Sequence, residues 1–194
     1  MLRRRTVSSR EVNFVKALIS TGTQVIDTQI VPDSETVIEA SLYIEANHKA
    51  YENYFGCSGN QCALMWNVSQ TNSMRTSIRD ANTFFGFVVP NKMDIAIDIA
   101  QKKAVVNEAE INLQVGTNKI NTTMCIFAKK RLNSDVLDVP GSFKLYSFAM
   151  TKVGQKVIDL YPALDNQGIA CLYDMVSGKY FYNSGTGEFE YEQT

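Results

Sequence analysis

Residues 36–45 read TVIEASLYIE, and the apolar positions fall on every second residue. Thr36, Ile38, Ala40, Leu42 and Ile44 share one face, while Val37, Glu39, Ser41, Tyr43 and Glu45 share the other. A period of two is the side-chain repeat of an extended chain, so the segment reads as a half-buried strand. Residues 93–100, MDIAIDIA, repeat the pattern, with Met93, Ile95, Ile97 and Ile99 inward and Asp94 and Asp98 outward. Turn signals recur at Ser20-Thr21-Gly22-Thr23, Val31-Pro32-Asp33-Ser34, Ser58-Gly59-Asn60, Pro90-Asn91-Lys92, Val115-Gly116-Thr117-Asn118 and Val139-Pro140-Gly141-Ser142. Many short strands punctuated in this way predict an all-β fold, a sandwich or a barrel. No long stretch has helical periodicity, and residues 128–138 leave room for one helical turn. No strict internal repeat and no low-complexity linker interrupts the chain.

The last twenty strand-like residues, 173–192, read YDMVSGKYFYNSGTGEFEYE. Aromatic runs suit a pleated, half-buried surface. Gly178, Gly185 and Gly187 lie between them and can take positive φ without a Cβ clash, as tight hairpin turns require. The tail therefore predicts three short strands joined by two turns, a closing meander rather than a ligand motif.

A chain of 194 residues fits one domain. At that length a chain buries roughly 70% of its unfolded surface, so no metal or disulfide staple is required. The 19 basic and 20 acidic residues balance, which argues against a broad basic face for nucleic acid. No apolar run approaches the roughly 20 residues that cross a bilayer as a helix, so no membrane partner is expected. The start, MLRRRTVSSR, has arginines but no apolar core after them and does not read as a secretory signal. Residues 1–12 read as a basic arm and 13–194 as the single domain. Cys57, Cys62, Cys125 and Cys171 show no C-x-x-C pair, and His48 is the one histidine. Paired Cys/His spacing for zinc is absent, and no acidic loop offers a calcium site. The cysteines read as free or buried thiols made in a reducing compartment, with a Cys57–Cys62 bridge left open.

Asp94 and Asp98 are the one arrangement that suggests catalysis. Two carboxylates four residues apart on a straight strand stand about 13 Å apart. Glycosidases need about 5–5.5 Å for retention or about 6.5–9.5 Å for inversion. A solvated strand face is the better reading, and no catalytic residue is assigned. His48 follows a strand without an identifiable nucleophile partner. No glycine-rich strand-to-helix loop is present for a nucleotide, so no cofactor is expected. For binding, Trp66 with Asn67 is the candidate glycan site, and Tyr54 and Tyr51 are weaker candidates. Sugar faces stack on exposed rings, and sugar hydroxyls need amide donors and acceptors. The alternative for a lone tryptophan in a sandwich is the core. Arg3, Arg4, Arg5 and Arg10 form the candidate assembly contact, since the guanidinium fork suits carboxylates on a neighbour.

Two end segments carry a resemblance. Near the start stands Ile19-Ser20-Thr21-Gly22-Thr23-Gln24-Val25-Ile26-Asp27-Thr28, then Ile30-Val31-Pro32. Near the end stand Asp159-Leu160-Tyr161-Pro162-Ala163, Asp165-Asn166-Gln167-Gly168, Leu172-Tyr173-Asp174, Val176-Ser177-Gly178-Lys179, Tyr182-Asn183 and Gly185-Thr186-Gly187. Together they resemble the concanavalin A-like (laminin-G-like) jelly-roll domain of tailed-phage structural proteins and of gut-bacterial surface proteins. Tyr54-Phe55-Gly56, Ile126-Phe127-Ala128 and residues 143–148 fit that family's middle strands. The likeness covers about residues 14–192. It implies a two-sheet antiparallel β-sandwich, a jelly roll, and no particular ligand. It also implies that the tail supplies the final strands, with partners near the N-terminus, and that Asn183 and Asp174 hold turn backbone. The expected function is that of a non-enzymatic virion structural protein on capsid or tail, a decoration or fibre component. It would be a homo-oligomer or present in many copies among other virion proteins. The alternative is a glycan-binding adhesion or receptor-binding module on a phage fibre or bacterial surface, with a host surface glycan as partner.

Overall fold

The computed structural model describes residues 11–47, 51–59, 61–67, 73–130 and 137–194, and these contain strands and turns but no helix. Arg3, Arg4, Arg5, Arg10 and His48 lie outside the described residues, as does the side chain of Asn67. Two antiparallel sheets form a sandwich. The larger has eleven strands, with the main path Ala109–Asn112, Lys103–Val106, Asn91–Asp98, Thr36–Ile44, Phe143–Lys152, Gln155–Leu164, Ala170–Asp174 and Tyr180–Phe181. Asn13–Phe14, Ala17–Ile19 and Glu190–Glu192 join off this path. The smaller has six strands, in the order Ile26–Asp27, Cys125–Ile126, Asn53–Gly56, Cys62–Asn67, Ser73–Ile78 and Ala81–Gly86.

The two alternating segments lie side by side. Ile38 stands opposite Ile97, Ala40 opposite Ile95, and Leu42 opposite Met93. All six side chains are buried. Each fully buried aliphatic side chain is worth about 1.5–3 kcal/mol, so the pairing register is strongly held. A slip of one residue would carry Glu39, Asp94 and Asp98 into the interior. The small sheet closes the core from the other side. Phe55 meets Phe148 at 5.6 Å between ring centroids, and Tyr54 meets Phe143 at 5.2 Å.

Two hairpin turns form without glycine. Arg79 and Asp80 have φ of 52° and 68°, and Asn107 and Glu108 have φ of 45° and 71°. Positive φ at both central residues is the geometry that matches strand twist in a two-residue hairpin. Neighbours hold both turns. The Arg79 guanidinium donates to the carbonyls of Asn118 (2.6 Å) and Thr117 (2.8 Å). Asn107 Oδ1 accepts the Asp94 N–H at 2.8 Å, and its amide nitrogen donates to Lys92 O at 2.9 Å. The two ends of the segment that left room for a helical turn, residues 128–138, are strand-paired. Lys129–Lys130 pairs antiparallel with Leu137–Asp138, and residues 131–136 lie outside the described residues.

The tail departs from a simple meander. Ala170–Asp174 and Tyr180–Phe181 make a hairpin, with Gly178 at φ 71° in its turn. The third strand, Glu190–Glu192, crosses instead to Ala17–Ile19, which supplies the expected N-terminal partner. Between them the chain crosses to residues 23–25. Ser184 N–H donates to Val25 O (2.9 Å), and Thr186 N–H to Thr23 O (3.1 Å). Asn183 Oδ1 accepts from the N–H groups of Val25 (3.0 Å) and Gly185 (2.8 Å), and its amide donates to Gly187 O (2.8 Å). Gln24 Nε2 donates to Glu188 O at 2.7 Å. Gly187 has the expected positive φ, but Gly185 serves another purpose. A Cβ on Gly185 would stand 2.3 Å from Thr23 O, so its role is close backbone approach.

Candidate functional site

The rings expected to face a glycan are core residues. Trp66 is 5% exposed and Tyr54 is 0% exposed. Their strands are interior to the small sheet, and burial leaves neither ring a face to solvent. Burial, and then the nearby Glu52, push the Tyr54 phenol well above its usual range. Among the described residues its hydroxyl has no hydrogen-bond partner. Tyr51 is exposed but stands apart at φ 58° beside an undescribed segment.

The exposed rings gather elsewhere, on the outer face of the large sheet. Across three adjacent strands Tyr161 stands opposite Tyr173, and Tyr173 opposite Tyr180. Directly opposed residues project to the same face, so the three phenols form a row. Asn13–Phe14 pairs beside Ala163 and brings Phe14 into it. The Phe14 ring lies 6.4 Å from Tyr161 and 6.0 Å from Tyr173, edge-on to both. Tyr173 and Tyr180 are 5.0 Å apart, and Tyr180 and Tyr182 are 6.3 Å apart with planes inclined by 36°. Phe14, Tyr161 and Tyr182 are 39%, 38% and 46% exposed, and the other two rings are half-buried.

Three charged groups beside the row, Asp165, Lys156 and Asp159, have local partners. Tyr182 donates its hydroxyl to Asp165 Oδ2 at 3.0 Å. Partial burial and that hydrogen bond push the phenol up to about 12. Asp165 also accepts the N–H groups of Ile169 (2.9 Å) and Gln167 (2.8 Å), and the Ile169 bond is the chief reason its carboxyl lies below the usual range. Lys156 pairs with Asp159 at 2.9 Å.

At the Tyr182 end the row meets a groove of about 570 Å³ between the edges of the two sheets. Tyr180, Tyr182, Lys179 and Ser177 line it from the large sheet, and Asp27 and Gln29 from the small one. Asp27 is occupied with its own fold. It accepts from Gln29 N–H (2.8 Å), the Thr123 hydroxyl (3.0 Å) and Lys130 Nζ (3.2 Å).

The other acids are likewise engaged. Asp94 Oδ2 accepts from Lys92 Nζ at 3.1 Å, and Asp98 Oδ1 accepts the Gln101 N–H at 2.9 Å. Burial works to raise the Asp94 carboxyl, but hydrogen bonds from Ser41 and Lys92 outweigh it, and the group lies below its usual range. Asp174 is buried and accepts from the N–H groups of Asp159, Val176 and Ser177 and from the Ser177 hydroxyl. All four cysteines are free and buried, and burial pushes Cys125 and Cys171 up to about 12. Among the described residues no three His, Cys, Asp or Glu side chains converge as a metal site.

No protein-family model matches the chain, and no curated protein sequence matches it.

Proposed function

We propose that this chain is a non-catalytic structural module of a phage virion, attached to capsid or tail in many copies and made in the host cytoplasm. The observation that carries the reading is the clasp at residues 183–188. The two end segments that resemble virion jelly-roll domains are one hydrogen-bonded unit, with Asn183 on Val25 and Gln24 on Glu188. The resemblance therefore concerns a single structural device and not two separate strings. A general acid works near the ambient pH, whereas the Asp94 carboxyl is shifted the opposite way. The basic segment with Arg3, Arg4, Arg5 and Arg10 is the proposed contact with acidic neighbours in the particle. Mass spectrometry of purified particles with copy counting tests this. Stoichiometric incorporation supports the reading, and particles lacking the chain overturn it. Release of sugar from a glycan panel, lost in an Asp94→Asn, Asp98→Asn double variant, would overturn the non-catalytic part.

A second reading, a glycan-binding module on a fibre or cell surface, is favoured by the exposed aromatic row. Binding of the purified chain to a glycan array separates the two.

A further inference from the structure

We infer that residues 1–10 of one copy dock in a groove beside Ile169 and Glu188 of a second copy, so that chains join head to tail. The inference rests on the virion-assembly reading and names the acidic neighbour in it. Charge is the first argument. Residues 1–10 hold four of the 19 basic residues and none of the 20 acids, which leaves residues 11–194 net acidic. Unlike Glu192, which holds Lys16 and Lys144, Glu188 and Glu190 have no ion-pair partner among the described residues. Shape is the second. A groove of about 480 Å³ lies between Ile169 and Ala170 on one side and the tail residues Gly187, Glu188, Phe189 and Tyr191 on the other. Ile169 and Tyr191 are exposed, so apolar surface and an uncompensated carboxylate share one opening. The backbone bonds of Ser184 to Val25 and of Thr186 to Thr23 hold this part of the tail, and a groove formed in advance lowers the ordering cost of an incoming segment. Val7 stands between Arg5 and Arg10, which suits an apolar side chain in the groove and guanidiniums on the carboxylates. Direction is the third. The antiparallel register carries Val12 and Glu11 past Leu164, the last residue of its strand, so Glu11 aims the preceding segment off the end of the sheet that carries the groove. Ten residues reach at most about 33–36 Å. A path into its own groove would have to double back around the turn at residues 165–168, whereas docking on a second copy needs no reversal.

Segment and groove are different surfaces, so the contact is heterologous and each copy offers one of each. The test is sedimentation of the full-length purified chain across concentration and salt. The native chain should self-associate, less so as salt screens the charges. A groove variant, Glu188→Lys with Glu190→Lys, and a segment variant, Arg3→Glu with Arg4→Glu and Arg5→Glu, should each weaken association about tenfold or more, because like charges then face each other. An equimolar mixture of the two variants should associate again, since each segment then meets a groove of opposite sign. That rescue guards against a folding artefact in either variant alone. Ile169→Ser should weaken association about tenfold with melting temperature little changed. Association that survives the groove variant and Ile169→Ser overturns the groove as the site. Failure of the mixture to associate overturns the pairing of segment with groove. A native chain that stays monomeric throughout overturns the second copy as occupant. None of these outcomes decides the virion reading, which stands or falls separately on copy counting in purified particles.

Discussion

The rings of the core and the rings on the outer face of the large sheet make contacts of the same kind. Inside, Tyr54 and Phe143 meet at 5.2 Å, and Phe127 and Phe143 at 4.7 Å. Outside, Tyr173 and Tyr180 meet at 5.0 Å. Ring–ring distance does not separate a core from an exposed face. What separates them is the second side of each ring. Core rings are covered by the opposite sheet, whereas Tyr161 and Tyr182 keep 38% and 46% of their surface in water. The tail supplies both sets, because Tyr182 stays outside while Phe189 reaches the core and packs on Phe127 at 4.8 Å.

Trp66→Ala should break the comparison most visibly. Removal of a core indole should cost about 3–5 kcal/mol in denaturant unfolding. A loss of less than about 1 kcal/mol would return Trp66 to the exposed class. Asp174→Asn comes next, because Asp174 holds the turn that sets Tyr173 opposite Tyr180. Its loss should cost about 1.5–3 kcal/mol at neutral pH, as for hydrogen bonds to a charged group. Burial acts to raise this carboxyl, but bonds from Ser177 and from the backbone of Asp159 and Val176 hold it below its usual range. A folded-state value below the unfolded one stabilises the ionised protein above the unfolded value. That stabilisation is lost as pH falls through the folded value. The gap between native chain and variant should therefore close on going from about pH 7 to about pH 2. Unfolding curves that stay parallel across that range would show that charge is not involved.

Asn183→Ala sharpens the comparison at the point where the tail passes from outside to inside. It strips the acceptor from Val25 N–H and the donor from Gly187 O, at about 1–3 kcal/mol. Faster amide exchange should appear at residues 184–192 while Thr36–Ile44 stays protected. Tyr161→Ser should change stability by less than about 1 kcal/mol, since an exposed cross-strand ring contributes only that much. Deletion of residues 2–10 should have the smallest effect on melting temperature, near zero, while removing the protein from particles. Full incorporation of the truncated chain would assign the assembly contacts to the sandwich surface.

Much of the fold was legible because it is local. Alternation in residues 36–45 and 93–100 states which side chains face inward, and the six residues that face each other in the core are among those named from it. The resemblance implied Asp174 and Asn183 as turn-holders, and the role is local because an Asx side chain bonds backbone two or three residues away. The hairpin turns at Arg79-Asp80 and Asn107-Glu108 escaped notice because they lack glycine and are held by distant groups at Thr117, Asn118 and Lys92.

The candidate site belongs to the other category. Tyr173 and Tyr180 read as ordinary strand aromatics of the tail, and nothing in the local sequence singled out Phe14 or Tyr161. The row arises when the pairing of three strands sets Tyr161 opposite Tyr173 and Tyr173 opposite Tyr180. The sequence by itself determined the all-β class, the inward face of the two central strands and the glycine turn at Gly178, because these depend on neighbours a few residues away. Only the tertiary structure decided that Trp66 is core, that the third tail strand joins Ala17–Ile19, and that the tyrosines align. Burial and register depend on which strands lie alongside and across. Groups more than 150 residues apart in the chain, such as Val25 and Asn183, settle that together.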